Sequence, residues 1–354
     1  MKIAQIAPLH EAVPPRLYGG TERLVAYLTD ALVEQGHEVT LFSSADARTK
    51  ATLVATRAQA LRLDPAPLKS DLASHLALLH EVRQRAHEFD LLHFHVDMLH
   101  FPLFEPVARR TLTTLHGRLD IAELAEVYRR WKEYPLVSVS DHQRQPLPDA
   151  NWLGTVHHGV AAERYRFSAQ PGGDYLAFLG RISPEKRPDR AIAIAQAAGV
   201  PIRLAAKVDN VDRGYFEREI HPLLQSPLVE FLGEIDDPQK SDFLGNARAL
   251  LFPIDWPEPF GLVMIEAMAC GTPVIAWRCG AVPEIVEHGR TGFIVDTIDD
   301  AVAAVEAARH LPRIDVRAQF ERRFTAHAMA RRYVRLYWQL SGAVRATELD
   351  GEAA

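Results

Sequence analysis

The sequence predicts an α/β protein made of two doubly wound, parallel-sheet halves in tandem. Three observations carry that prediction. Short apolar runs of strand length alternate with helical segments, as parallel strands joined by crossover helices require. The chain has 354 residues, too many for one ordinary core and enough for two. The loops that carry paired glycines, histidines or charges follow predicted strand ends, where doubly wound sheets place their ligands.

The elements follow in order. Residues 2–7 read as a strand leading into a loop with Pro14, Pro15, Gly19 and Gly20. Thr21 has the character of a helix N-cap, and Leu24, Val25, Leu28, Leu32 and Val33 recur at helical spacing until Gly36. Strands are predicted at 39–43, 91–96, 110–115 and 136–140, with a helix over 72–87. After the turn-forming Gln170-Pro171-Gly172-Gly173, the pattern starts again. Strands are predicted at 175–179, 202–206, 229–232, 249–252, 273–276 and 293–295, and helices at 188–198 and 262–269. The last helix, 326–340, carries Tyr333, Leu336, Tyr337 and Leu340 as an apolar stripe. It is expected to pack back on the first half, with 351–354 frayed. The domains are therefore 1–165 plus a C-terminal helix at 326–345, and 173–325. Two such halves place the ligand in a cleft between their strand ends.

Composition narrows the function. Hydrophobic residues make up 47% and charged ones 24%, as in a soluble globular protein. The net charge of -6 gives no bulk basic footprint for nucleic acid. No apolar run reaches the length of a membrane span, and the N-terminus lacks the marks of a signal peptide. A cytoplasmic protein is the expectation, with peripheral membrane contact left open. The two cysteines, Cys270 and Cys279, form neither a disulfide framework nor a zinc spacing. Cys270 reads as core packing, since no base lies near it in sequence.

The most informative stretch is Glu258-Pro259-Phe260-Gly261-Leu262-Val263-Met264-Ile265-Glu266. It puts one carboxylate on a loop and the other inside a helix. Backbone N–H groups at the helix start lie between them, and such a start favours anions. A second motif, Gly180-Arg181-Ile182-Ser183-Pro184-Glu185-Lys186, ends a strand with two cations five positions apart. Arg clamps a diphosphate through two N–H groups, and Lys neutralises it as a point charge. The plain alternative is a solvated helix-start turn. Leu17-Tyr18-Gly19-Gly20-Thr21-Glu22 lets backbone approach a ligand closely, or simply opens a helix. His116-Gly117 follows a predicted strand, where a histidine reaches a sugar hydroxyl or is satisfied in the core. His93, His95 and His100 suggest a metal only weakly, because no third ligand has a defined spacing. His157-His158 fits interdomain packing better than catalysis, and Gly280-Ala281 fits either a ligand contact or tight packing.

These motifs, with Asp90-Leu91-Leu92-His93-Phe94-His95 and Cys270-Gly271-Thr272-Pro273, occur in the order found in family 4 retaining glycosyltransferases, which the chain resembles. The resemblance implies the GT-B fold and transfer of a hexose from a nucleoside diphosphate sugar, with UDP-glucose the first candidate, to an unidentified acceptor hydroxyl. It implies retained anomeric configuration, no metal and no cofactor. By similarity, His116 and Glu258 act at the donor sugar and reacting centre. Arg181 and Lys186 hold the diphosphate, with Gly20 beneath it. Phe260, Gly261, Leu262 and Val263 offer backbone N–H groups, and Glu266 binds the ribose. Two places depart from the family pattern. His158-Gly159-Val160-Ala161 stands where many relatives have Asn-Gly-Val-Asp, and Ala205-Ala206-Lys207 replaces a glycine-rich turn, so that Lys207 adds a cation toward the nucleotide.

Three alternatives compete. A sugar-nucleotide epimerase or hydrolase of the same fold forms product without acceptor. A nicotinamide-dependent oxidoreductase would need Gly-x-Gly-x-x-Gly after the first strand, where this chain has a proline-rich loop. A binding-only sensor would need the cations but not both acids.

Overall fold

The computed structural model describes residues 1–16 and 19–342. Tyr18, the end of the predicted 326–345 helix and the 351–354 tail lie outside the described residues. The chain divides into two compact units. The first contains Met1–Val139, Pro146–His157 and the chain from Ala326 on; the second contains Ser140–Gln145 and His158–Thr325. Residues 158–165, read from sequence as part of the first domain, therefore belong to the second unit.

The first unit holds a seven-stranded sheet of β1 (Lys2–Ile6), β2 (Glu38–Ser43), β3 (Thr52–Ala55), β4 (Leu91–Phe94), β5 (Thr111–Thr114), β6 (Leu136–Ser138) and β7 (Trp152–Thr155). All pairings are parallel, in the order β3-β2-β1-β4-β5-β6-β7. Because the order reverses at β1, the crossovers cover both faces, and the strands must be apolar on both. β4 and β5 are buried at every position. The helix Ala326–Leu340 belongs to this unit, as expected, with Tyr333 and Tyr337 fully buried. The predicted apolar stripe is only half right: the Tyr333 hydroxyl lies 2.9 Å from Thr114 Oγ1, and that of Tyr337 lies 2.8 Å from His93 Nδ1.

The second unit repeats the plan with β8 (Leu176–Arg181), β9 (Ile202–Lys207), β10 (Val229–Gly233), β11 (Ala249–Phe252), β12 (Val274–Trp277) and β13 (Gly292–Val295). They are again all parallel, in the order β10-β9-β8-β11-β12-β13. The expected α/β class with two Rossmann-like halves is what the chain adopts. The sheets reverse between β1 and β4 and between β8 and β11, and such switch points open crevices at strand C-terminal ends.

Two strands and several helices escape the sequence reading. β3 and β7 are edge strands whose side chains are half-buried or exposed, so neither shows a clean apolar run. The helix Asp237–Gly245 is mostly polar, but Asp236 and Gln239 form a capping box at its start. The helix expected to have Thr21 as its N-cap instead has Gly19 there, two positions earlier. A Cβ there would lie 2.9 Å from Pro15 Cβ, so the first glycine of the pair is needed for close packing of its own loop.

Another glycine fixes the second sheet. A Cβ on Gly292 would sit 1.9 Å from the Val274 carbonyl oxygen on the neighbouring strand. We expect Gly292→Ala to destabilise the protein by about 2 kcal/mol or more. Denaturant unfolding checks this, and an unchanged midpoint would mean that β12 and β13 do not pack this closely.

Candidate functional site

The candidate residues of the second unit gather at the C-terminal ends of β8, β9 and β11. Arg181 is the last residue of β8. Its guanidinium lies 2.6 Å from Glu185 Oε1, 3.6 Å from Asp212 Oδ2 and 3.9 Å from Asp209 Oδ2. Lys207, the last residue of β9, places Nζ 3.0 Å from Asp209 Oδ1. The cations expected to clamp a diphosphate are therefore already matched by carboxylates. The sequence reading missed Asp209 and Asp212, which sit in a polar loop with no motif around them.

Lys186 forms an ion pair with Glu258, and both are mostly buried. The sequence reading assigned these two to different parts of one ligand; the fold sets them side by side. The Lys186 ammonium also lies 5.1 Å from the centre of the Trp256 ring and 5.8 Å from that of Phe252.

The Glu258 loop is held from several sides. Asp255 N–H donates to the Glu185 carbonyl at 2.8 Å. Arg187 Nη1 donates to Asp255 Oδ2 at 2.8 Å, and Arg190 Nη1 to the Pro253 carbonyl at 3.0 Å. Ala281 N–H donates to the Glu258 carbonyl at 3.0 Å, and Gly280 adopts φ 57°. A Cβ at Gly280 would lie 2.4 Å from the Glu258 carbonyl oxygen. The Gly280-Ala281 loop is thus tight packing that shapes the acid's backbone.

Gly261, at φ 86°, precedes the helix Leu262–Ala269. A side chain there would meet Met264 and Phe252 at under 3 Å. Phe260 is buried with its ring edge-on to His158 at 4.8 Å, a packing contact within the second unit. Leu262 and Val263 form the first turn, whose N–H groups have no acceptor within the helix. Glu266, on the same helix, is buried. It accepts from the Tyr165 hydroxyl at 2.8 Å, and Lys240 Nζ lies 3.5 Å from the same oxygen. The sequence reading missed Lys240, whose helix is mostly polar. Cys270 is buried, and desolvation pushes its thiol up to about 12, which suits core packing.

His116 and Gly20 lie in the first unit. Gly20 is the first residue of the helix Gly20–Glu34. His116 follows β5, and burial pushes its imidazole down to about 4, so the ring is neutral at physiological pH. His116 Nε2 lies 2.9 Å from His95 Nδ1. His93 contacts Thr114 and Tyr337 at 2.8 Å each, and His100 contacts Thr113 at 3.1 Å. His93, His95 and His100 are thus engaged with protein groups. Near Gly20, Glu22 is buried and accepts the Glu11 N–H at 3.2 Å. Desolvation raises its carboxyl to about 7.

Two stability predictions follow. Lys240→Met leaves Glu266 without its cation and should cost about 3 kcal/mol, much of which Glu266→Gln on the same background should restore. Additive losses in the double mutant would deny the pairing. For Glu22 the folded value lies above the unfolded one, so the folded state holds its proton longer. Its stability contribution is therefore full below about pH 4.5 and is lost as pH rises through about 7. We expect Glu22→Gln to raise Tm at pH 8 relative to wild type, with little change at pH 4. Equal shifts at both would contradict burial of that carboxyl.

Comparison with known proteins places this architecture. The family profile described as Glycosyltransferase Family 4 matches residues 18–144, and that described as Glycosyl transferases group 1 matches residues 162–324. A D-inositol 3-phosphate glycosyltransferase of Saccharomonospora viridis is 33% identical over 57% of this chain and 53% of its own length. The chain thus spans about half the length of that relative. A phosphatidyl-myo-inositol mannosyltransferase of Mycolicibacterium smegmatis is 26% identical over 100% of this chain and 97% of its own. The crystal structure of a glycosyltransferase involved in avilamycin A biosynthesis has the same fold, with a TM-score of 0.74 at 24% identity, covering 97% of this chain and 98% of that one. The two profiles succeed one another along a chain whose two sheets share one strand order, and the chain belongs to glycosyltransferase family 4, with the GT-B fold.

Proposed function

We propose that this chain is a retaining glycosyltransferase that moves a hexose from a nucleoside diphosphate sugar to an acceptor hydroxyl without a metal. UDP-glucose is the first donor to test. The observation that carries the reading is the arrangement at the switch point of the second sheet. Arg181 and Lys186 follow β8, Lys207 ends β9, and the loop after β11 brings Glu258 onto Lys186 and leads into the Leu262–Ala269 helix that carries Glu266.

This arrangement is mixed in charge. Arg181, Lys186 and Lys207 are set against Glu185, Asp209, Asp212 and Glu258. A simple anion gains little there, because each cation must first give up a carboxylate. A molecule with both phosphates and hydroxyls can satisfy both sets: the phosphate oxygens take the cations and helix N–H groups, and the hydroxyls take the freed carboxylates. A sugar nucleotide has that composition. Glu266 then accepts from the ribose hydroxyls.

In the reaction, the acceptor oxygen bonds to the anomeric carbon on the face from which the diphosphate departs. The carbon–oxygen bond to phosphate breaks, and the diphosphate keeps the electron pair. The acceptor proton passes to a phosphate oxygen. Charge grows on the leaving group, where fixed cations and a helix N-terminus stabilise it. The neutral His116 of the first unit is assigned to the donor sugar.

Calorimetric titration with UDP tests the site. Lys186→Ala and Glu266→Ala should each weaken binding by about tenfold or more, the worth of a charge-assisted hydrogen bond. Unchanged affinity in both would reject it. With UDP-glucose, anomer-resolved NMR of the product and an assay in excess chelator distinguish transfer from hydrolysis and from metal-dependent reaction.

A further inference from the structure

Within the first unit, the sheet carries a buried chain of polar side chains. Gln5 on β1 stands beside His93 on β4. Its carboxamide oxygen lies 2.8 Å from His95 Nε2, and its nitrogen lies 3.2 Å from the Tyr337 hydroxyl and 3.3 Å from His93 Nδ1. Tyr337 oxygen is 2.8 Å from His93 Nδ1, and His93 Nε2 is 2.8 Å from Thr114 Oγ1. On the other side, His95 Nδ1 lies 2.9 Å from His116 Nε2. Gln5, His93, His95 and Tyr337 are each no more than 4% exposed.

The donors and acceptors can be assigned along this chain. A carboxamide oxygen only accepts, so the proton between Gln5 and His95 sits on His95 Nε2. A neutral imidazole has one donor and one acceptor nitrogen, so with Nε2 donating, the lone pair of His95 lies on Nδ1. The proton between the two rings therefore belongs to His116 Nε2. The carboxamide is oriented from its other end: its N–H donates to the Tyr337 oxygen, whose own O–H is given to His93 Nδ1. His93 then donates from Nε2 to Thr114. Each of these contacts has one donor and one acceptor.

We propose that Gln5 and His95 are positioning residues that hold His116 as its Nε2–H tautomer, with the lone pair on Nδ1. This rests on the assignment of His116 to the donor sugar and gives that assignment a direction. An imidazole with its lone pair on Nδ1 accepts from a hydroxyl at that atom and repels a phosphate or carbonyl oxygen. The histidine then selects the hydroxyl-bearing part of the ligand. Tyr337 of the Ala326–Leu340 helix contributes to this choice through the carboxamide.

Nitrogen-15 NMR of histidine-labelled protein tests the proposal without any substrate. The His116 signals, assigned by their loss in His116→Gln, should show a protonated Nε2 and an unprotonated Nδ1. A protonated Nδ1 in the wild-type protein overturns the proposal, and that measurement needs no folded Gln5 variant. In Gln5→Met, which keeps the volume and removes the acceptor, the tautomer ratio should move toward Nδ1–H by about fivefold or more. An unchanged ratio in a folded Gln5→Met protein also overturns it. The reading of His116 itself fails separately, if His116→Gln transfers sugar from UDP-glucose at the wild-type rate.

Discussion

The candidate donor site depends on how the loop after β11 is pinned. The reversal of strand order between β8 and β11 leaves the chain ends there without a crossover to cover them. Adjacency alone would leave a mobile loop carrying a carboxylate. Instead the loop's backbone is bonded to Glu185 and Arg190, its Asp255 is held by Arg187, and Gly280 lets a second backbone press against Glu258. The acid that meets Lys186 is thus placed by main-chain contacts on several sides. Groups fixed in this way need little reorganisation when charge develops, which is where an enzyme gains most from electrostatics.

That pinning also explains why the site tolerates so much unlike charge at close range. Lys186 and Glu258 are mostly buried, and Glu266 more so. Removing such groups from water is costly, and a partner at contact distance offsets the cost. In the ligand-free protein each cation is kept in place by an acid. On the proposed reading, a sugar nucleotide exchanges those partners for its own phosphates and hydroxyls. Affinity then reflects the difference between two well-paired states, which favours discrimination over raw strength.

The parts of this arrangement legible in sequence are those with a short-range signature. A central strand such as β11 reads as an unbroken apolar run because it is buried on both faces. Gly261 and Gly280 announced turns, and Glu258 and Glu266 stood out through the loop and helix between them. Partnerships were not legible. Nothing local says that Lys186 meets Glu258, 72 positions away, or that Lys240 meets Glu266. Of the acids around Arg181, Glu185 lies in the same motif, but Asp209 and Asp212 lie beyond the next strand. Tyr333 and Tyr337 fitted an apolar stripe at helical spacing, and periodicity cannot tell a buried ring from a buried ring whose hydroxyl is bonded.

The polar chain in the first unit makes the same point from the side of energetics. A doubly wound sheet is stabilised by apolar side chains on its central strands. Gln5 and His93 occupy adjacent places on two of them. Replacing a satisfied buried network with apolar groups of like shape is often neutral or stabilising, so stability does not account for its presence. Its members line up toward the C-terminal ends of β1, β4 and β5, and it continues to His116 just beyond. A network that the fold does not need, ending at the residue assigned to the donor sugar, is best explained by what it fixes there. One ring nitrogen of His116 keeps its proton and the other keeps its lone pair.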